Sequence, residues 1–439
     1  MSAVVIEPLI QTLLPQMITW RRDFHQHAES GWLELRTASR VAQELEQLGY
    51  QLAIGKQVIK AEARMGLPTQ IQFDAALARA KTQGACERFL PQLANGFTGI
   101  VATLDSGRTG PTIGYRFDMD ALDLSEDQHD DHRPTQLGFN SVNDGSMHAC
   151  GHDGHTAIGL ALAHLLAQTR THWSGRVKLI FQPAEEGTRG ARSMTEAGVA
   201  DDIDYFTAIH LGMGIPSKAM ICAEDSFLAT SKLDVTFTGI AAHAGANPEN
   251  GHNALLAAAQ ATLALHGISR HSDGSSRINV GVLQAGTGRN VIAPNALLKL
   301  ETRGQNNAIN DYLKQQAEQI IAGVAQMYAV DYHIEQVGAA QSAQSSPQWV
   351  AFIHQQAAQS GRFEAIYDHS DKAAGSEDAT YFIERVQAHG GQAAYCVFGS
   401  HLSAGHHHPH FDFDEQTLAD TLHTLANLTL HLDQFPTHV

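Results

Sequence analysis

The chain has 439 residues, 43% hydrophobic and 17% charged, a globular balance with room for two domains. A formal net charge of −17 argues against a nucleic-acid surface and disfavours anionic membranes. No apolar run approaches the ~20 residues needed to span a bilayer, and the four scattered cysteines (Cys86, Cys150, Cys222, Cys396) predict free thiols in a reducing, cytoplasmic compartment.

In chain order, the N-terminal stretch MSAVVIEPLIQTLLPQMITWRRDF has no basic region before its apolar part and no small-residue cleavage site, so it reads as a first helix rather than a signal peptide. Residues 36–48 space Val41, Leu45 and Leu48 at helical intervals and stop at Gly49. Residues 55–97 contain a plausible helix and no recognisable chemistry. GIVATL (99–104), TIGYRF (112–117) and RVKLIFQ (176–182) are short apolar runs between Gly, Pro or Asp, the pattern of buried strands. HTAIGLALAHLLAQT (155–169) is a helix with a broad apolar face. Strands alternating with helices predict an α/β sheet with helices packed on it.

Residues 230–340 change the rhythm. Strand-like 231–239, an alanine-rich helix over 253–268, two strands at 277–286 and 295–304, a helix over 310–328 and a strand at 330–338 give β-α-β-β-α-β, the ferredoxin-like arrangement. The expected organisation is a catalytic α/β domain, 1–229 and 341–439, interrupted by this insert. QSAQSSPQ (341–348) reads as the returning linker.

Four stretches carry candidate chemistry. MHACGHDGH (147–155) sets Cys150 two residues from His152 in a glycine-flanked loop, where a thiolate and an imidazole can reach one ion. Alone, C-x-H more often marks a buried inert thiol beside a surface histidine. QPAEEG (182–187) sets Glu185 and Glu186 side by side after a strand. Adjacent carboxylates share a site only in a loop, where one could bind metal and the other accept a proton; a solvated acidic turn is the plain alternative. His210 ends the strand-like run DYFTAIHL, and His406, His407, His408 and His410 crowd before FDFDE. Together, a thiolate, imidazoles and a carboxylate at strand ends of one α/β domain suit zinc or manganese, with a spare carboxylate as general base.

These stretches, with RRDFHQHAESG, GIAAHAGANPENGHNA and GSEDATYF, resemble the M20 metallopeptidase family over nearly the whole chain, in particular its aminoacylase and amidohydrolase branch of hippurate and auxin-conjugate hydrolases. The resemblance implies metal-dependent hydrolysis of an N-acyl amino acid amide, and a ferredoxin-like insert that mediates dimerisation. It implies two divalent ions per subunit, Mn2+ or Zn2+, on Cys150, His152, Glu186, His210 and His407. It makes Glu185 the general base and has Asp120, in FDMDAL, orient a ligand imidazole. His243 would serve the neighbouring subunit's site, and Asn290 and Arg303 would hold the substrate carboxylate. Gly375 and Ser376 would line the pocket. The partners implied are a small N-acyl amino acid and a second subunit, identical or homologous. Asp123 stands where the branch usually has proline, and residues 55–97 lack a counterpart in shorter relatives. A thiol hydrolase using Cys150 would give Glu185 and Glu186 no role. A His-rich storage protein would not need the insert. A non-catalytic partner subunit would not need the complete set of ligands and base.

Overall fold

The computed structural model describes residues 6–370 and 375–435. These fall into two compact units. One comprises the residues up to Asp225, those from Ala343 to Ser370 and those from Asp378 onward; the other comprises Ser226–Ser342 with Gly375–Glu377. Twelve strands are described: β1 Gln51–Ile54, β2 Ile100–Asp105, β3 Thr112–Asp118, β4 Arg176–Gln182, β5 Tyr205–Leu211, β6 Ala219–Ala223, β7 Ala229–Thr238, β8 Ser276–Ala285, β9 Asn295–Gly304, β10 Asp331–Ala340, β11 Ala365–His369 and β12 Gln392–Phe398.

The first unit holds an eight-stranded mixed sheet ordered β1-β2-β4-β3-β5-β12-β6-β11. Strands β4, β3, β5 and β12 run parallel. Their carboxyl ends meet in register, Asp118 beside Gln182 and Leu211 beside Phe398. Every residue of β3 is buried, as a central strand covered on both faces must be. Helices Glu7–Gln26, His152–Gln168 and Thr417–Leu430 contribute Met17, Ile158 and Leu422 to one core with Phe117 and Phe181 of the sheet. Gly159 lets the middle helix sit flat on the sheet. A Cβ there would lie 2.7 Å from both phenylalanine rings.

Helix His152–Gln168 begins three residues earlier than the apolar pattern predicts. Gly151, at φ +93°, turns the chain into it, so Cys150 lies just outside the helix and His152 is its first residue. The expected loop is therefore a helix N-terminus. Its first turn is polar yet buried, which hides it from a search for hydrophobic period.

Residues 55–97 form short turns and helix Gln70–Thr82, capped by Thr69. The segment buttresses a catalytic-side loop: Arg189 Nη1 donates to the Gly66 carbonyl at 3.1 Å, and the Lys60 N–H donates to the Ser193 carbonyl at 2.9 Å.

The second unit is an antiparallel sheet ordered β10-β7-β9-β8 with helices Ala254–His266 and Asn307–Met327, the β-α-β-β-α-β order read from the sequence. Along β9, Ala296, Leu298, Leu300 and Thr302 are buried while the intervening residues are not. Leu298 and Leu300 join Val235, Phe237, Ala261, Leu313 and Ile321 in a separate core. The side chains of Asn253 and Asn306 cap the two helices. The returning segment stays irregular only to Ser346, because Pro347 opens helix Pro347–Ser360. No described helix is long and apolar enough to cross a membrane.

Candidate metal and catalytic centre

The carboxyl ends of β3, β4 and β5 each feed one part of the centre. Beyond β3, the backbone carbonyl of Asp120 lies 2.8 Å from His152 Nδ1. A carbonyl only accepts, so Nδ1 carries the proton and Nε2 presents a lone pair. At the end of β5, His210 Nδ1 donates to the Leu211 carbonyl at 2.8 Å, and its Nε2 lies 3.4 Å from Cys150 Sγ. The donor atoms of Cys150, His152 and His210 lie within 4.8 Å of one another. The same holds for Cys150, Glu186 and His407, and for His152, Glu185 and Glu186. The five expected ligands and the expected base are thus one constellation.

The turn after β4 is unusual in its backbone. Ala184, Gly187 and Thr188 all adopt positive φ, at +51°, +83° and +60°. Three buried carboxylates hold it there. Glu34 accepts the N–H of Ala184 at 2.8 Å, Asp120 those of Glu185 and Glu186 at 2.9 Å each, and Asp378 those of Gly190 and Ala191 at 3.0 and 2.9 Å. Asp120, expected to orient a ligand imidazole, plays two parts here. Its carbonyl orients the imidazole, while its carboxylate fastens the glutamate turn. Glu34 is pushed up to about 8, by burial first and then by the Asp120 charge.

The histidine-rich loop separates its members by backbone conformation. His407, at φ +63°, donates its N–H to the Ala149 carbonyl at 2.8 Å and points Nε2 to within 3.4 Å of Glu186 Oε1. His406 instead accepts the Met213 N–H on Nε2 at 2.9 Å. Burial lowers its pKa to about 4. His408 accepts the His410 N–H. Of the three consecutive histidines, His407 is the one brought to Cys150 and Glu186.

In the layer beneath, sequence reading finds His155 as a supporting residue and misses Asp118, Arg116 and Asp378. His155 Nδ1 meets Asp118 at 2.5 Å, and its Nε2 accepts the Leu211 N–H at 3.1 Å. Arg116 reaches both Asp118, at 2.5 Å, and Asp378, at 3.3 Å. Burial would raise the Asp118 carboxyl, but Arg116 and the two imidazoles hold it well below the usual range. Asp378 closes the GSED motif and could have been singled out with it. Asp118 and Arg116 lie two and four residues before Asp120, inside an apolar strand.

Electrostatics separates a metal centre from a thiol nucleophile. Burial, with Glu186 close by, pushes the Cys150 thiol up to about 12. A thiol so poised is almost wholly protonated at neutral pH and needs a cation to become a thiolate. Burial keeps His210 well below its ordinary value, hence a neutral ligand. A metal fits the donor set. His152 Nε2 and Glu186 Oε1 are buried with no hydrogen-bond partner among the described residues, a costly state that coordination would relieve.

The second unit carries the remaining expected residues. His243 Nδ1 accepts the N–H groups of Gly245 and Ala246 at 3.1 Å each, which leaves the proton on Nε2. The Ala244 N–H donates to the Asn290 carbonyl at 3.0 Å, so these two loops adjoin. Arg303 forms a two-pronged pair with Glu301, at 2.9 and 3.1 Å. Asn290 precedes the first residue of β9 and Arg303 is its ninth. Ser376 Oγ donates to the Leu228 carbonyl at 2.7 Å, and the Gly375 carbonyl accepts the Leu228 N–H at 2.9 Å.

Residues 114–431 match the model of Peptidase family M20/M25/M40. The chain belongs to that family. It is a metal-dependent hydrolase, 56% identical over 426 residues to one of the subunits of p-aminobenzoyl-glutamate hydrolase from Escherichia coli K12, with 97% of this chain and 98% of that one aligned. The runs YRFDMDALDLSED and FQPAEEGTRGARSM already resemble that relative. Indole-3-acetyl-aspartic acid hydrolase of Enterobacter agglomerans is also 56% identical, over 427 residues and the same shares of both chains. The crystal structure of an aminobenzoyl-glutamate utilization protein from Klebsiella pneumoniae superposes with a TM-score of 0.87 at 50% identity, covering 99% of this chain and 100% of that one.

Proposed function

We propose that the M20-family chain hydrolyses the amide joining an aromatic acyl group to an acidic amino acid, with p-aminobenzoyl-glutamate, cleaved to p-aminobenzoate and glutamate, as first substrate. The observation that carries this reading is the convergence of Cys150, His152, Glu186, His210 and His407 around Glu185, in a chain 56% identical to hydrolases of two such compounds. The indole-3-acetyl-aspartate relative is just as similar, so an indolylacetyl amide is the second reading. Hippurate-like amides come after both.

A pair of divalent ions, Mn2+ or Zn2+, held by those five residues would supply Lewis acidity to the amide carbonyl and acidify the attacking water. Glu185 takes the proton from that water and returns it to the leaving amine, work suited to a carboxylate beside the ligand cluster. The bonds from Asp120 to the turn fix where Glu185 stands. His243, with its proton on Nε2, would serve the neighbouring subunit's site, donating to the oxyanion there. Arg303 recognises a substrate carboxylate by its planar fork, with Glu301 as the partner that the substrate displaces. The relative that is a hydrolase subunit supports a site assembled from two subunits, either two identical copies or this chain with a homologous partner.

The reading is tested by offering the metal-restored protein p-aminobenzoyl-glutamate, indole-3-acetyl-aspartate, hippurate and an N-acetyl amino acid. The expected order of kcat/KM places the two aromatic acyl-dicarboxylates first. Preference for the N-acetyl compound would overturn it.

A further inference from the structure

A second cluster of metal-type donors lies elsewhere in the first unit. Cys222 in β6, His354 in helix Pro347–Ser360 and Asp368 in β11 place one donor atom each within 4.8 Å of one another. Fold geometry explains the convergence. Strand β11 is the last of the sheet and pairs with β6 in parallel register, Tyr367 beside Ile221 and His369 beside Ala223, so Asp368 stands next to Cys222. The helix buries Trp349, Ile353 and Gln356 in the same unit and presents His354, partly exposed, over that strand pair. His354 Nδ1 meets Asp368 Oδ1 at 2.7 Å.

This cluster is not the catalytic centre. Cys222 lies across from Cys396 on the antiparallel β6–β12 pair, and the cluster sits on β6 and β11, two and three strands from β5 in the sheet order. His210 is on β5, and no residue of this cluster is among the five expected ligands. Cys396 donates its S–H to the Cys222 carbonyl at 3.3 Å and is not counted as a donor.

We infer that Cys222, His354 and Asp368 form a second, surface-accessible site for a borderline-soft divalent cation such as Zn2+. One sulfur, one nitrogen and one oxygen leave a fourth tetrahedral position to water. Cys222 Sγ loses its proton to solvent as the sulfur–metal bond forms, and His354 binds as the neutral ring. Burial, with the Asp368 charge second, pushes the free thiol up to about 12, so capture is coupled to proton release. The ion would tie the edge strand to the strand and helix beside it. The plainer reading is an exposed His–Asp pair guarding a sheet edge beside an inert thiol.

Cobalt(II) distinguishes the two. Full-length Cys150→Ser protein, stripped by chelator, removes the catalytic thiolate from the spectrum. Added Co2+ is expected to give a thiolate-to-cobalt charge-transfer band that disappears in Cys150→Ser/Cys222→Ser and in Cys150→Ser/His354→Ala. No such band in Cys150→Ser, or one unaffected by both second substitutions, overturns the inference. Should Cys150→Ser fail to fold, His354→Ala/Asp368→Asn in the otherwise native chain serves instead. It is expected to bind one zinc equivalent fewer with turnover unchanged, and equal zinc content would sink the site.

Discussion

The backbone carbonyl of Asp120, not its carboxylate, holds the Nδ1 proton of His152, at 2.8 Å. The carboxylate is spent on two backbone N–H groups, those of Glu185 and Glu186. One residue thereby sets the tautomer of a ligand and the position of the base. Asp120→Asn keeps the carbonyl and leaves one of those N–H groups facing an amide donor. The expected result is retained metal, a stability loss of about 1–3 kcal/mol and a lower kcat. Metal content, thermal melting and turnover check it. Lost metal with normal turnover per bound ion would assign the carboxylate to His152 instead.

Glu185→Gln removes the proton acceptor and preserves the shape of the turn. Metal content should remain, and kcat should fall by about 10²–10⁴. Turnover equal to that of the native chain would take Glu185 out of the mechanism.

His25 gives the fold a pH signature. It is fully buried, and its two ring nitrogens lie 2.9 Å from Asp153 and 2.9 Å from Glu126. Burial opposes its charge, but the two carboxylates win and raise it from 6.5 to about 9. A raised folded-state value means stabilisation that is complete below about 6.5 and fades as pH climbs through about 9. Melting temperature should decline over that window, and His25→Gln should melt lower at about pH 6 with a flatter pH profile. Parallel profiles for the two proteins would assign the slope to other groups.

Arg303→Lys retains the charge and loses the planar fork. KM for an acyl-glutamate should rise about tenfold or more, equivalent to about 1.4 kcal/mol, with kcat changed less. An equal fall in kcat at constant KM would place Arg303 in the chemical step rather than in substrate capture.

The sequence is most readable where physics is local. The insert's strands and helices follow from alternation and helical spacing, because each element buries one face against its immediate chain neighbours. Cys150, His152, Glu185, Glu186 and His210 stand out because their residue types are conspicuous at strand ends and turns. What stays hidden depends on long-range placement. Arg116 meets Asp378 across 262 residues of chain, and Glu34 reaches Ala184 across 150. No local pattern announces either pair. The start of helix His152–Gln168 is concealed because polar residues are buried there for the site rather than exposed.

Metal-dependent hydrolysis is tested most directly by turnover of p-aminobenzoyl-glutamate with chelator-stripped protein, before and after Mn2+ or Zn2+ is restored. The predicted result is no release of p-aminobenzoate from the stripped protein and recovery on adding one of the ions. Full turnover without metal, or none of the aromatic acyl-amino acids cleaved with either ion present, would contradict it.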